Sequence, residues 1–343
     1  MRRTNRKILP VILLILFITG CSQAGAEPAT FYQDEPSIEP AFPVEGTPVL
    51  KVEPSPTPPV ITPKPSQSEV FEKAFMAIDC GDNYCQAQWP GLLSRPIQLP
   101  YQNTIDPTYP YASTFAGELE PHHGVEFVNS SGTPVVAAAS GEVVFAGVDN
   151  ETLLGPYPLF YGNVVVLYHP DLHWDGNDLF TLYAHLSTIE VDTGDFVQRE
   201  QTLGQVGLSG AAIGSHLHFE VRLGENDYQR TFNPVLWFEP VLKDGGDQMA
   251  TLSGIVLDPN GYTVSQFPLT LKRLGEDGEV QERYYPKTYY PFGPNGHPLL
   301  GESFTVSDIP PGEYRLALIW GRLYEVDFIL EPGSLGFIKV QFD

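Results

Sequence analysis

The residues best suited to chemistry are histidines, and seven of the eight lie between positions 122 and 218. In His216-Leu217-His218-Phe219-Glu220-Val221, polar and apolar residues alternate, which in a strand places His216 and His218 on one face. The even spacing from His122 to Glu126 likewise puts both side chains on one face if that segment is extended. Imidazole and carboxylate are suitable zinc ligands, and three protein ligands plus water form the catalytic arrangement. The three protein ligands would be His122, Glu126 and His218.

A third segment also offers a histidine. His185 stands in Leu182-Tyr183-Ala184-His185-Leu186, at the end of an apolar run and far in sequence from the other two segments. Three separated segments that each carry histidine are hard to explain as coincidence, which favours one shared site. His123 is expected to point to the opposite face, either as a structural residue or as a residue that supports the metal ligands from behind. His169 and His173 are expected in a loop, at a rim or in solvent.

These histidines are carried by short apolar runs between about residues 101 and 243. The runs are rich in Val, Leu, Phe and Tyr and are separated by Gly, Asp, Asn and Pro, which is typical of strands joined by turns. The clearest predicted strands are Val135–Ala139, Glu142–Ala146, Asn163–Tyr168, Phe180–Ala184 and Leu217–Val221. No run of apolar residues with helical periodicity is long enough to form a helix between them, so an all-β domain is predicted.

A second block of short strands, over residues 249–343, predicts a small β-sandwich. Its candidate strands are Thr251–Leu257, Pro268–Arg273, Ser303–Val306, Glu313–Ile319 and Gly336–Phe342. His297 lies in this block, and nothing in the sequence joins it to a site. The aromatic residues between positions 284 and 292 are expected to be buried in a sheet, with an exposed surface for sugar or protein as the alternative. The working role of the block is binding or spacing.

The histidine segments and their neighbours resemble the LytM/lysostaphin family of zinc metalloendopeptidases, which cut peptide bonds in peptidoglycan. His122 to Glu126 matches the family's His-x-x-x-Asp motif, and His216 to His218 matches its His-x-His motif. The surrounding motifs stand in the family's order: Gly132-Thr-Pro-Val135, Gly141-Glu-Val-Val144, Tyr161-Gly-Asn-Val-Val165, Tyr183-Ala-His-Leu186 and Gly214-Ser-His-Leu-His-Phe-Glu-Val221. The resemblance covers about residues 101–237. The run from Ile309 to Leu318 looks like the prealbumin-like regulatory domains of carboxypeptidases.

The resemblance implies an antiparallel β-sheet metallopeptidase domain over residues 101–243, with the duplicated hybrid motif of lysostaphin-like enzymes. It implies His122, Glu126 and His218 as ligands of one zinc ion per chain. His185 and His216 become the catalytic pair that orients water and stabilises the oxyanion, and peptidoglycan peptides become the substrate. One departure is Glu126, because the family usually has aspartate there. Glutamate offers the same oxygen from one methylene further out, and other zinc peptidases use a His₂Glu set.

Two alternative functions compete with this enzyme. Some members of the family have lost metal ligands and act by binding the wall or activating an amidase, but all four motif histidines remain here. Gly132-Thr-Pro-Val135 and Gly194-Asp-Phe-Val197 are also similar to lipoyl- and biotinyl-carrier barrels. Such carriers need a lysine at a hairpin tip, and no lysine occurs between Lys73 and Lys243.

The N-terminal residues predict export and lipid anchoring. Residues 1–20 combine four basic residues with an apolar run, Ile8 to Ile18, that is too short to span a bilayer. The run ends in Ile18-Thr-Gly-Cys21, which resembles the lipobox of bacterial lipoproteins, so Cys21 is the expected lipidation site and membrane anchor. Residues 21–66 are proline-rich and are predicted to form a disordered tether, followed by a lead-in segment over residues 67–100.

The remaining cysteines and the charge set further limits. Cys80 and Cys85 lie close together in an exported chain, so a small disulfide loop is expected, with free buried thiols as the alternative. Without residues 1–20 the chain has 15 Lys+Arg against 42 Asp+Glu, a net charge of −27. Such a charge makes nucleic acid an unsuitable partner.

Overall fold

Almost all of the regular structure is β-strand. The computed structural model describes residues 83–114, 117–242 and 246–343. Within these ranges the strands, labelled β1 to β18 in chain order, are Tyr84–Gln88, Val125–Val128, Pro134–Val136, Gly141–Val148, Asn163–Trp174, Asn177–Ala184, Leu186–Ile189, Phe196–Val197, Thr202–Val206, His216–Leu223, Thr231–Phe232, Ala250–Leu257, Thr270–Leu274, Val280–Tyr284, Phe304–Ile309, Gly312–Trp320, Arg322–Leu330 and Ser334–Gln341. Two short 3₁₀ turns, Tyr228–Arg230 and Pro234–Trp237, are the helical elements described. The predicted all-β class is confirmed.

The histidine-bearing domain is organised around a seven-stranded antiparallel sheet. Its order is β11-β10-β6-β5-β4-β8, and β2 pairs with the first half of β10 on the edge that β11 occupies further along. The alternation predicted for β10 is present: Leu217, Phe219 and Val221 are fully buried in the main core. A second sheet, β3-β9-β7, completes the domain. The opposite face of β10 is thereby left for polar side chains.

The C-terminal block forms two four-stranded sheets, β1-β18-β12-β15 and β14-β13-β16-β17. One strand comes from the lead-in, because β1 pairs antiparallel with β18. The lead-in also contributes Trp89 and Leu93 to the core of the histidine-bearing domain. This segment therefore joins both domains.

The described residues of the two domains share buried contacts and lie in one compact unit. Arg95 pairs with Asp308 of the sandwich at 2.8 Å, and both side chains are 8% exposed. His297 of the sandwich inserts between Trp174 and Trp237 of the first domain, with ring centroids 4.7 and 5.3 Å away. The sandwich is thus packed onto the first domain.

Several predictions concern residues outside the described ranges. These are the signal at residues 1–20, Cys21, the tether at 21–66, the start of the lead-in and Cys80. Cys85 lies in β1 and is disulfide-bonded. Among the described residues, no helix has the length and apolar character needed to cross a membrane.

Candidate metal centre

Strand pairing brings the predicted residues together. In the antiparallel ladder of β2 and β10, Glu126 lies directly opposite His218, so their side chains leave the same face of the sheet. On the other side of β10, His218 lies opposite Ala184, the last residue of β6. His185 follows immediately. Residues distant in sequence therefore meet at one end of β10.

Three donor atoms converge at that point. His122 Nε2 lies 2.9 Å from Glu126 Oε1 and 3.2 Å from His218 Nδ1, and the last two atoms are 3.1 Å apart. All three residues are buried, between 4 and 8% exposed. Within the described residues, this trio is the group of His, Cys, Asp or Glu whose arrangement could hold a metal ion.

The donor set fits zinc. A tetrahedral ion with bonds of about 2.0–2.1 Å sets its donor atoms about 3.3 Å apart, close to the separations here. The second oxygen, Glu126 Oε2, lies 2.9 Å from His216 Nε2. This contact lacks hydrogen-bond alignment, and among the described residues Oε2 is a buried oxygen without a hydrogen bond. Two imidazoles and a carboxylate whose donor atoms approach one point form a donor set that is suited to a cation.

Outer contacts fix the orientation of both imidazoles. His122 Nδ1 lies 2.9 Å from the Tyr109 carbonyl oxygen, and the Tyr109 ring stacks on the imidazole at 4.1 Å. His218 Nε2 lies 3.0 Å from Glu220 Oε1. Each outer nitrogen is therefore placed to donate its proton, which leaves the nitrogen facing the centre free to act as a ligand.

Sequence reasoning missed the roles of Glu220, Arg222 and Tyr161. Glu220 and Arg222 are fully buried and paired at 2.7 Å, and the Tyr161 hydroxyl donates to Glu220 Oε1. The available signal was the alternation of β10, which places Glu220 and Arg222 on the same face as both histidines. A polar run continued along a buried strand predicts a buried network.

His185 and His216 flank the converging trio. Their ring centroids are 4.8 Å apart, and the His185 ring lies 5.7 Å from that of His218. His185 has φ of 61°, a left-handed conformation that costs energy for a residue with a side chain. It is held there because its N–H donates to the Tyr161 carbonyl and its Nδ1 lies 2.8 Å from the Ser209 carbonyl. His185 Nε2 is thus left without the proton in the neutral ring.

Burial and neighbouring charges set the protonation of the centre. Burial raises the pKa of Glu126, but the adjacent His218 and His122 outweigh it and hold that pKa well below its usual range. Burial lowers the pKa of His218, yet Glu126 and Glu220 outweigh it and raise it to about 9. For His185, burial and then His218 lower the pKa to about 4, so its imidazole is neutral near pH 7. Binding a cation would displace the His218 proton.

The other histidines have structural positions. His123 faces away from the trio, as predicted, stacks on Tyr228 at 3.8 Å and contacts Thr231 Oγ1 at 2.7 Å. The prediction of a loop for His169 and His173 is wrong, because both lie in the extended β5. His169 is fully buried rather than at a rim, with its Nε2 2.8 Å from Thr181 Oγ1. His173 is exposed on the outer part of that strand.

Comparison with known families agrees with this geometry. Residues 120–234 match the model of Peptidase family M23. The chain is 40% identical over 103 residues to peptidoglycan DD-endopeptidase ShyA of Vibrio cholerae, covering 30% of this chain and 20% of that protein. It is 35% identical over 102 residues to DD-carboxypeptidase/endopeptidase Mpg of Neisseria meningitidis, with the same two shares. The matches span only about a fifth of these relatives.

Solved structures with detectable similarity were also found. A zinc-containing peptidase from Vibrio cholerae is 27% identical, with 40% of this chain and 38% of that chain covered and a TM-score of 0.30. The lysostaphin catalytic domain from Staphylococcus simulans is 24% identical, with 50% and 96% covered and a TM-score of 0.29.

Proposed function

We propose that the Peptidase family M23 domain formed by residues 120–234 is a zinc-dependent endopeptidase that hydrolyses peptide bonds in peptidoglycan stems or cross-bridges. The observation that carries this proposal is the convergence of His122, Glu126 and His218 within 3.2 Å of one another. The relatives named as peptidoglycan endopeptidases support the substrate class.

His122 Nε2, Glu126 Oε1 and His218 Nδ1 would hold one zinc ion per chain. Zinc bound there would polarise the scissile carbonyl and lower the pKa of a water towards about 7. The longer glutamate side chain still reaches the two histidines, because Glu126 lies directly opposite His218 in the ladder. Its Oε1 lies 3.1 Å from His218 Nδ1. The substitution is thereby compatible with ligation.

His185 and His216 are the proposed catalytic pair. Because His185 is neutral near pH 7 and its Nδ1 faces the Ser209 carbonyl, its Nε2 can accept a proton from an attacking water. The same imidazole can return that proton to the leaving amine. His216 Nδ1 faces the Gly214 carbonyl at 2.9 Å and its Nε2 lies 2.9 Å from Glu126 Oε2, so Nε2 can donate to a developing oxyanion when the ring carries both protons.

The N-terminal sequence supports a proposal for where the enzyme is placed. We propose that residues 1–20 direct export, that Cys21 is acylated, and that residues 21–66 tether the domain off the membrane towards the wall. The sandwich at 249–343 serves binding or spacing, and Cys80 is the disulfide partner of Cys85. Acylation is tested by labelling the protein with an alkynyl fatty acid. The Cys21→Ser substitution should abolish this labelling.

The decisive experiment for the proposed function uses the purified protein and intact peptidoglycan. We expect about one zinc per chain and release of muropeptides that chelator abolishes and added zinc restores. Mass spectrometry of the released fragments identifies the bond that is cut. Wall binding and stoichiometric zinc without any released fragment would instead favour a non-catalytic wall-binding domain, and full activity in chelator would remove the metal mechanism.

A further inference from the structure

The polar network behind His218 includes Glu220, which contacts the imidazole, and the residues that in turn contact Glu220. Glu220 Oε1 faces His218 Nε2 at 3.0 Å and also accepts the Tyr161 hydroxyl proton, while Glu220 Oε2 accepts from Arg222 Nε at 2.8 Å. Glu220, Arg222 and Tyr161 are all fully buried. A buried carboxylate that is paired with a guanidinium remains ionised, so Glu220 presents a full negative charge to the back of the imidazole.

Tyr161 also reaches the second functional histidine. Its side chain contacts Glu220, whereas its backbone carbonyl accepts the N–H of His185 at 3.0 Å. The Tyr161 backbone is itself held by Asp149, whose two carboxylate oxygens accept the N–H groups of Tyr161 and Gly162 at 2.8 and 2.9 Å. One residue therefore connects the back of His218 with the strained backbone of His185.

Arg222 extends the network to the loop that precedes Tyr161. Arg222 Nη2 donates to the Leu154 carbonyl at 3.0 Å and lies 3.1 Å from the Tyr161 hydroxyl. Because the guanidinium is fully buried, each of these contacts is shielded from water and worth more than it would be at the surface. The position of the 154–161 loop and the orientation of His218 are thus fixed by the same buried group.

We propose that Glu220, Arg222 and Tyr161 form a positioning unit for the two histidines. The unit keeps the proton of His218 on Nε2, which strengthens Nδ1 as a metal ligand, and it aligns the His185 ring with the His218 ring. This inference rests on the proposed zinc site. Hydrogen-bonded carboxylates behind metal-ligating imidazoles typically strengthen metal affinity 10–100-fold. The unit touches no reacting atom, and it acts through His218 and His185.

The test measures zinc affinity by competition with a chromophoric chelator. Glu220→Gln removes the charge but keeps an acceptor oxygen. The paired variant Glu220→Leu/Arg222→Met removes both charges and that acceptor without leaving a guanidinium unpaired. We expect the zinc dissociation constant to rise about 10–100-fold in the paired variant, with a smaller rise in Glu220→Gln. Glu302→Gln, which alters a buried carboxylate of the sandwich, is the matched control and should bind zinc like the wild type.

A second measurement separates positioning from general stability. Circular dichroism and thermal unfolding of the metal-free variants report folding, and the visible spectrum of the cobalt(II)-loaded protein reports the ligand geometry at His218. We expect the spectrum to change in Glu220→Gln even where folding does not. Folded Glu220→Gln with wild-type zinc affinity and an unchanged cobalt spectrum would overturn the positioning unit. Absence of zinc binding by the wild type would instead refute the proposed function.

Discussion

Replacing Glu302 with glutamine should make the protein more stable at alkaline pH and remove part of its pH dependence. Glu302 is 3% exposed, its Oε2 accepts the His297 N–H at 2.6 Å and its Oε1 accepts the Tyr289 hydroxyl at 3.1 Å. Burial dominates and raises the pKa of this carboxyl to about 8 from 4.5. The folded protein therefore keeps a proton that the unfolded chain releases.

The pH dependence of the free energy of unfolding follows from the difference in proton binding between the folded and unfolded states. Below pH 4.5 both states hold the proton and stability is unaffected, whereas between about pH 4.5 and 8 the folded state alone holds it. Stability is then lost by about 1.4 kcal/mol per pH unit as the pH rises, which amounts to roughly 3 kcal/mol between pH 5 and 8. Glutamine cannot ionise, its amide oxygen can accept the His297 N–H, and its amide N–H can donate to the Tyr289 hydroxyl oxygen, so Glu302→Gln escapes this loss.

The assay is urea unfolding of wild type and Glu302→Gln at pH 5 and pH 8, followed by the fluorescence of Trp174 and Trp237, which pack on His297. The advantage of the variant should grow by roughly 3 kcal/mol from pH 5 to pH 8. Parallel stability curves for the two proteins across this range would refute the reasoning, because Glu302 would then be ionised in the folded state.

Three further outcomes are expected. His218→Ala should lose both zinc and muropeptide release, whereas His185→Ala should retain zinc, measured by atomic absorption, and lose turnover; loss of zinc in His185→Ala would contradict the division of roles. Glu126→Asp should retain zinc with altered activity, since the shorter side chain offers the same oxygen; a metal-free Glu126→Asp would show that the reach of glutamate is required. Asp308→Asn should lower the free energy of unfolding by about 2–3 kcal/mol, because it leaves Arg95 buried without its charge partner; an unchanged urea midpoint would show that this interdomain pair is dispensable.

Sequence alone predicted the β-strand class, which is confirmed, and named the residues that are proposed for the site. Alternation in residues 216–221 predicted β10 and its buried face, and the spacing from His122 to Glu126 placed both side chains together. Strand ends were less accurate: β5 runs on to Trp174, beyond the predicted end at Tyr168. The strand Arg322–Leu330 was not predicted, although its residues alternate and it pairs along its whole length with β16.

The tertiary structure decided which residues meet across strands, because a local sequence pattern holds no information on distant partners. Pairing of β2 with β10 set Glu126 opposite His218, and this register depends on contacts between segments about 90 residues apart. The same holds for Tyr161, whose link to Glu220 and His185 requires the segment before β5, the middle of β10 and the end of β6 to meet. Periodicity shows which face of a strand a residue occupies, because that follows from backbone geometry. Which partner it meets there depends on packing of the whole sheet.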